Sequence, residues 1–191
     1  MAVEKLGGVR IPPQDIEAEK ALLGSIMLAP EMIHEVLDLL KYEMFYVEKH
    51  KLLYKALIKL HEACDPVDVV SVSAALKESR SLEKVGGAGY LTEIMNTVPS
   101  SANCIHYAYI VRKKYTLRNL ISAANHISEI SYDEAGELED ILDKAGKRIL
   151  DIASYSKHKL LTLKDTLSEA WQRLEHLHES KGEIRGVPTG F

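Results

Sequence analysis

Between residues 100 and 135, and again between 147 and 181, the chain contains neither glycine nor proline. Uninterrupted stretches of that length suit helices, because Pro and Gly inside a helix cost about 3 and about 1 kcal/mol relative to Ala. Across the gap between them run Leu138, Leu142, Ala145, Ile149 and Ile152, whose 4-3-4-3 spacing lays one apolar seam along a helix. No run of clean period-two alternation is bounded by turn residues; Val67 to Val72 comes nearest and leads into a helical pattern. The expected class is all-α: a compact helical globule, then a long antiparallel helical hairpin and a separate C-terminal linker helix.

Breakers and caps divide the chain further. Residues 1–13 read as a flexible N-terminal tail, and 14–155 as one helical domain with the hairpin at about 101–155. After Gln14-Asp15 a first helix carries Ile16, Leu22, Leu23, Ile26 and Met27. Pro30 opens a second, with Ile33, Val36, Leu37 and Leu40, and a third runs from about Glu48 to Ala63. Asp68 is placed to cap a short helix through Leu76, and Gly86-Gly87-Ala88-Gly89 precedes a helix from Tyr90 to Val98 that Pro99 closes. The hairpin helices are expected from Ser100-Ser101 to about Ser131, with Leu117, Leu120, Ile121, Ala124 and Ile127 on the later stripe, and from Leu138 onward. Residues 156–191 read as a linker region with a helix at about 163–181 carrying Leu167, Trp171, Leu174 and Leu177. The closing Gly186-Val187-Pro188-Thr189-Gly190-Phe191 reads as a truncation after a turn.

Composition excludes some functions. Lys plus Arg number 24 against 28 Asp plus Glu, a net charge of −4, which argues against an autonomous binder of nucleic acid. Two cysteines make no disulfide framework, no signal-peptide core opens the chain, and the uncharged stretch 96–111 is too polar to span a membrane. A cytoplasmic protein is expected.

The residues that could carry chemistry fall short. Gly86-Gly87-Ala88-Gly89 and the glycines of 182–190 lack the lysine that a phosphate-binding loop needs. His176 and His178 point about 200° apart on a helix, and His61 with Cys64 has no second ligand pair. Cys64 and Cys104 have no neighbours that would mark a thiolate. Glu17 with Glu19, and Glu137 with Glu139 and Asp140, read as helix-surface charge. The cluster Arg112-Lys113-Lys114 with Arg118, among Tyr107, Tyr109 and Tyr115, has the composition of a single-strand grip, but a solvated or partner-facing helix face accounts for it better. No catalytic, cofactor-binding or metal-binding residue is assigned.

An ordered set of motifs nevertheless points to a family. Pro13-Gln14-Asp15-Ile16-Glu17-Ala18-Glu19, Leu23-Gly24-Ser25-Ile26, Phe45-Tyr46 with His50, and Pro66-Val67-Asp68 come first. Leu82 to Gly87 with Tyr90-Leu91, Val98 to Asn103, Tyr107 to Arg112 and Gly186 to Phe191 follow in order. As a set, they resemble the N-terminal region of bacterial replicative DNA helicases of the DnaB type.

The resemblance implies a collar domain whose hairpins pair into dimers, with three dimers making the collar of a hexameric ring around single-stranded DNA. It implies an RecA-like motor beyond Phe191, carrying the Walker motifs and using ATP and Mg. The full-length protein would be an ATP-dependent helicase at the replication fork, in the bacterial cytoplasm and associated with the nucleoid. The implied partners are further copies of the chain, the primase and a helicase loader, with no membrane. Positions matching the family's primase contacts are Tyr90, Ile121 and Ile127. Self-association is expected through Leu138, Leu142, Ala145, Ile149 and Ile152. Linker docking is expected through Leu167, Trp171, Leu174 and Leu177, onto the motor of a neighbouring subunit, with docking in cis against the hairpin as the alternative. A stand-alone helical adaptor of the replication machinery is the alternative, and a Walker A motif downstream would discriminate the two.

Overall fold

The computed structural model describes residues 5–6, 9–98, 100–132 and 137–156, with Leu167, Trp171 and Glu175 as helical positions further on. Most of the expected linker, including Leu174 and Leu177, lies outside the described residues. The chain divides into two compact units, Met1–Ile152 and Ala153–Phe191. The regular elements among the described residues are helical but for one short ladder within the expected tail. There Lys5–Leu6 (β1) pairs antiparallel with Val9–Arg10 (β2).

The first unit is built around its first helix, α1 (Ile16–Leu28). Asp15 caps it by accepting the Ala18 N–H at 3.1 Å. Its apolar residues do not keep to one stripe, which marks a helix enclosed on several sides. The 3-10 turn Pro30–Met32 leads into α2 (Ile33–Leu39), and Tyr42–Met44 forms another ahead of α3 (Glu48–Glu62). Then come α4 (Val69–Glu78), α5 (Leu82–Val85) and α6 (Gly87–Thr97). A 3-10 turn, Ser101–Asn103, precedes the two long helices α7 (Cys104–Ser131) and α8 (Leu138–Ser156).

Helix α1 packs against α6, α7 and α3. Leu22, Leu23 and Ile26 are sealed from solvent, with Tyr54, Leu57, Leu91 and Ile94 from the surrounding helices. The crossing with α6 is close enough to require Gly24, where a Cβ would stand 2.5 Å from the Ile94 carbonyl oxygen. The first turns of α7 complete the core through Cys104, Ala108 and Val111, at helical spacing.

Helices α3 and α4 end alike. Beyond α3, Cys64 takes a left-handed conformation (φ 57°) and the Asp65 N–H reaches back to the Leu60 carbonyl at 2.9 Å. Beyond α4, Arg80 does the same (φ 52°), and the Ser81 N–H bonds the Leu76 carbonyl at 2.8 Å. This six-to-one closure normally favours glycine at the left-handed position. Asp68 caps α4 through the Ser71 N–H at 2.7 Å. Helix α6 begins at Gly87, three residues before the expected Tyr90, because Gly86 (φ 112°) makes the turn out of α5.

Helix α8 doubles back along α7. Arg148, ten residues after Leu138, shares a groove with Ser122, ten residues before Tyr132. The expected seam does not close within the chain. Leu138, Leu142 and Ile149 are 69%, 62% and 52% exposed, and Leu120 and Ala124 of α7 are exposed as well. Ala145, Ile152 and Ile127 are half-buried.

Candidate functional site

The polar centre of the globule is Glu19, which belongs to the interior and not to the helix surface as its sequence context suggested. It is 2% exposed. Its carboxylate accepts the Tyr46 and Val47 N–H groups just ahead of α3, a helix whose N-cap residue has no side-chain cap of its own. A negative charge at that position also suits the α3 dipole. The third partner is His50, fully buried on the first turn of α3, with Nδ1 2.7 Å from Glu19 Oε2. A carboxylate can only accept, so Nδ1 carries the proton. His50 Nε2 lies 2.7 Å from the Tyr90 hydroxyl. Burial raises the pKa of that hydroxyl, with Lys20 partly opposing, so it stays protonated. In the tautomer that carries its proton on Nδ1, Nε2 accepts from that hydroxyl.

Arg118 of α7 extends the arrangement. Its guanidinium donates to the Pro13 carbonyl at 2.9 Å and to the Met44 carbonyl, and lies 5.4 and 5.7 Å from the Tyr46 and Tyr115 ring centroids. Burial lowers its pKa, and the Glu19 carboxylate partly restores it. Arg118 therefore clamps the approach to α1 onto the segment before α3. This removes it from the expected basic face, leaving Arg112, Lys113 and Lys114 without the residue that shared a face with Lys114.

A second feature is a groove of about 790 Å³ lined by Ile11, Pro12, Arg118, Ile121, Ser122, Asn125, His126, Glu129 and Arg148. Ile121 stands 49% exposed on its wall. Tyr90 sits elsewhere, on α6 against α3, with the Lys49 ammonium 3.6 Å from its ring centroid. The three expected primase-contact positions thus belong to different surroundings: Tyr90 to the Glu19–His50 chain, Ile121 to the groove, and half-buried Ile127 to the later α7. Leu167 and Trp171 are exposed.

Catalytic readings gain nothing from the structure. Cys104 is buried, and burial pushes its thiol up to about 11, away from a thiolate at neutral pH. Exposed Cys64 ends a helix. Among the described residues no three His, Cys, Asp or Glu side chains gather in a metal-binding group, and no helix is long and apolar enough to cross a membrane.

Sequence reasoning read Glu19 as helix-surface charge and Arg118 as part of a solvated or partner-facing face, and gave His50 no role of its own, although each occupies a helix stripe that is otherwise apolar. Glu19 stands three and four residues before Leu22 and Leu23, and His50 three and four before Leu53 and Tyr54. Arg118 continues the series Cys104, Ala108, Val111 and Tyr115. A charged residue on a buried stripe is the signal that could have found all three.

Comparisons with known proteins agree with this architecture. Residues 11–113 match the DnaB-like helicase N terminal domain family. The replicative DNA helicase DnaC of Bacillus subtilis is 41% identical over 183 residues, 95% of this chain and 40% of that protein. The replicative DNA helicase DnaB of Geobacillus stearothermophilus is 39% identical over 191 residues, 99% of this chain and 42% of that protein. The chain therefore spans about two fifths of the length of these curated relatives. The crystal structure of the N-terminal domain of DnaB helicase from Mycobacterium tuberculosis superposes with a TM-score of 0.70 at 37% identity, covering 74% of this chain and 99% of that one. A DnaB-like replicative helicase solved with attention to its interactions with primase gives 0.66 at 28% identity, covering 93% of this chain and 38% of that one. With the matched region running from the approach to α1 into α7, the chain belongs to the DnaB-like helicase N terminal domain family.

Proposed function

We propose that this chain is the oligomerisation and primase-interaction region of a hexameric replicative DNA helicase. Unwinding, ATP and Mg belong to a motor region of the kind that its longer relatives have room for. The observation that carries this reading is the open apolar edge of α8, where Leu138, Leu142 and Ile149 are all more than half exposed. Burying each such side chain is worth about 1.5–3 kcal/mol, so a symmetric contact between two chains can offset the cost of association. Sedimentation of the 191-residue chain should show dimers or larger species at high micromolar concentration. Leu142→Asp with Ile149→Asp should return it to monomer while its far-UV circular dichroism stays that of the wild type. A wild-type chain that stays monomeric at that concentration sinks the reading.

The primase-facing surface includes Tyr90, Ile121 and Ile127, and one relative in the family was solved for its interactions with primase. Alanine at each position should weaken primase binding in variants that remain folded. The segment carrying Leu167, Trp171, Leu174 and Leu177 docks on the motor of a neighbouring subunit. Trp171→Ser with Leu174→Ser in the full-length protein should loosen the hexamer while leaving the isolated N-terminal region's melting temperature unchanged.

A further inference from the structure

We infer that Glu19 and His50 are positioning residues for Tyr90: their hydrogen bonds fix the direction in which its ring meets an incoming partner surface. This inference rests on the primase-facing reading of Tyr90. Tyr90 is half-buried, as a contact residue on a helix often is, yet it is held at several points. Its hydroxyl lies 2.7 Å from His50 Nε2, and His50 Nδ1 lies 2.7 Å from Glu19 Oε2. The Lys49 ammonium sits 3.6 Å from the ring centroid. Gly86 leaves room at the base, since a Cβ there would stand 3.1 Å from the Tyr90 Cβ.

A tyrosine on an open helix face has two torsions to restrict before it can seat in a partner's pocket. Restricting a mobile side chain on association costs roughly two- to tenfold in affinity. Here the free protein has already done so. Glu19 and His50 are too deeply buried to touch a partner themselves, and Tyr90 is the partly open side chain that the His50 ring bonds directly. The Tyr90 hydroxyl is directed inward, and the ring is the part left for the partner.

The test measures, by calorimetry, the affinity of the 191-residue chain for the primase of the source organism. The wild type is compared with Tyr90→Ala, Tyr90→Phe, His50→Gln and the double variant His50→Gln/Tyr90→Phe. Tyr90→Phe keeps the ring and cuts the bond to His50, so it should bind roughly two- to tenfold more weakly. His50→Gln should lose a similar factor, and the double variant no more than either single one, because both cut the same bond. A purely structural role would move the melting temperature and leave the affinity of folded variants unchanged. Wild-type affinity in Tyr90→Phe, or losses that multiply in the double variant, overturns the positioning role and leaves the contact reading standing. Wild-type affinity in Tyr90→Ala overturns the contact reading, and the inference with it. Should His50→Gln not fold, Tyr90→Phe decides alone.

Discussion

The Glu19 carboxylate and the His50 imidazole meet 2.7 Å apart, joining α1 to α3 at a point that water does not reach. Two backbone N–H groups converge on the same carboxylate, so one side chain satisfies three donors. Glu19→Ala would strand all three in the interior. The expected loss is about 3–5 kcal/mol of unfolding free energy, read from urea denaturation. A loss under about 1 kcal/mol would mean that water or another group takes over the carboxylate's place.

Gly24→Ala runs against helix propensity, which would favour alanine by about 1 kcal/mol. The added Cβ meets a backbone carbonyl, which cannot turn aside as a flexible side chain can. Helices α1 and α6 must move apart, and a net destabilisation of about 1–3 kcal/mol is expected. A variant as stable as wild type would show that the crossing can open without penalty.

Cys64 and Arg80 occupy left-handed positions that disfavour side chains by roughly 1–2 kcal/mol. Cys64→Gly and Arg80→Gly should each raise stability by about 0.5–1 kcal/mol once the larger unfolded-state entropy of glycine is counted. Differential scanning calorimetry checks this, and the two gains should add because the sites close different helices.

Arg118→Lys keeps a cation and loses the fork that spans the Pro13 and Met44 carbonyls. One ammonium on a flexible stem cannot reproduce that geometry, and a loss of about 1–2 kcal/mol is expected. A lysine variant as stable as wild type would assign Arg118 a charge role only.

The Asp68 carboxyl lies below its ordinary value of 3.8 because the Ser71 N–H bonds its charged form. A depressed folded pKa means that the contribution is complete above the unfolded value and disappears as pH falls through the folded one. The cap of α4 should therefore weaken only in acid, below about pH 4. Asp68→Asn, which cannot titrate, should show a flatter stability curve in that window than wild type.

The helices were legible because breakers and caps act locally. Asp15 and Asp68 mark their own helix starts, and the glycine-free runs show where α7 lies. What escaped was the identity of the partners across helices. Nothing near Glu19 in the chain announces that Tyr46, Val47 and His50 will close around it, since those contacts depend on the crossing of α1 and α3. The seam of α8 was legible as a seam, yet its spacing does not say whether a helix of the same chain covers it. Cys64 and Arg80 were invisible for another reason: glycine is the usual marker of a left-handed helix end, and neither position has one.

The clamp from Arg118 to Pro13 spans 105 residues and sets an order of events at the ribosome. Helix α1 leaves the synthetic machinery ahead of its cover, because α6 and α7, which enclose much of it, follow roughly seventy to ninety residues later. At about 5–20 residues per second, an apolar helix waits on the order of 5–20 s for its cover. During that interval the nascent chain presents Leu22, Leu23 and Ile26 to whatever it meets, which makes α1 a natural early ligand for a chaperone and makes synthesis arrested before α7 an aggregation hazard.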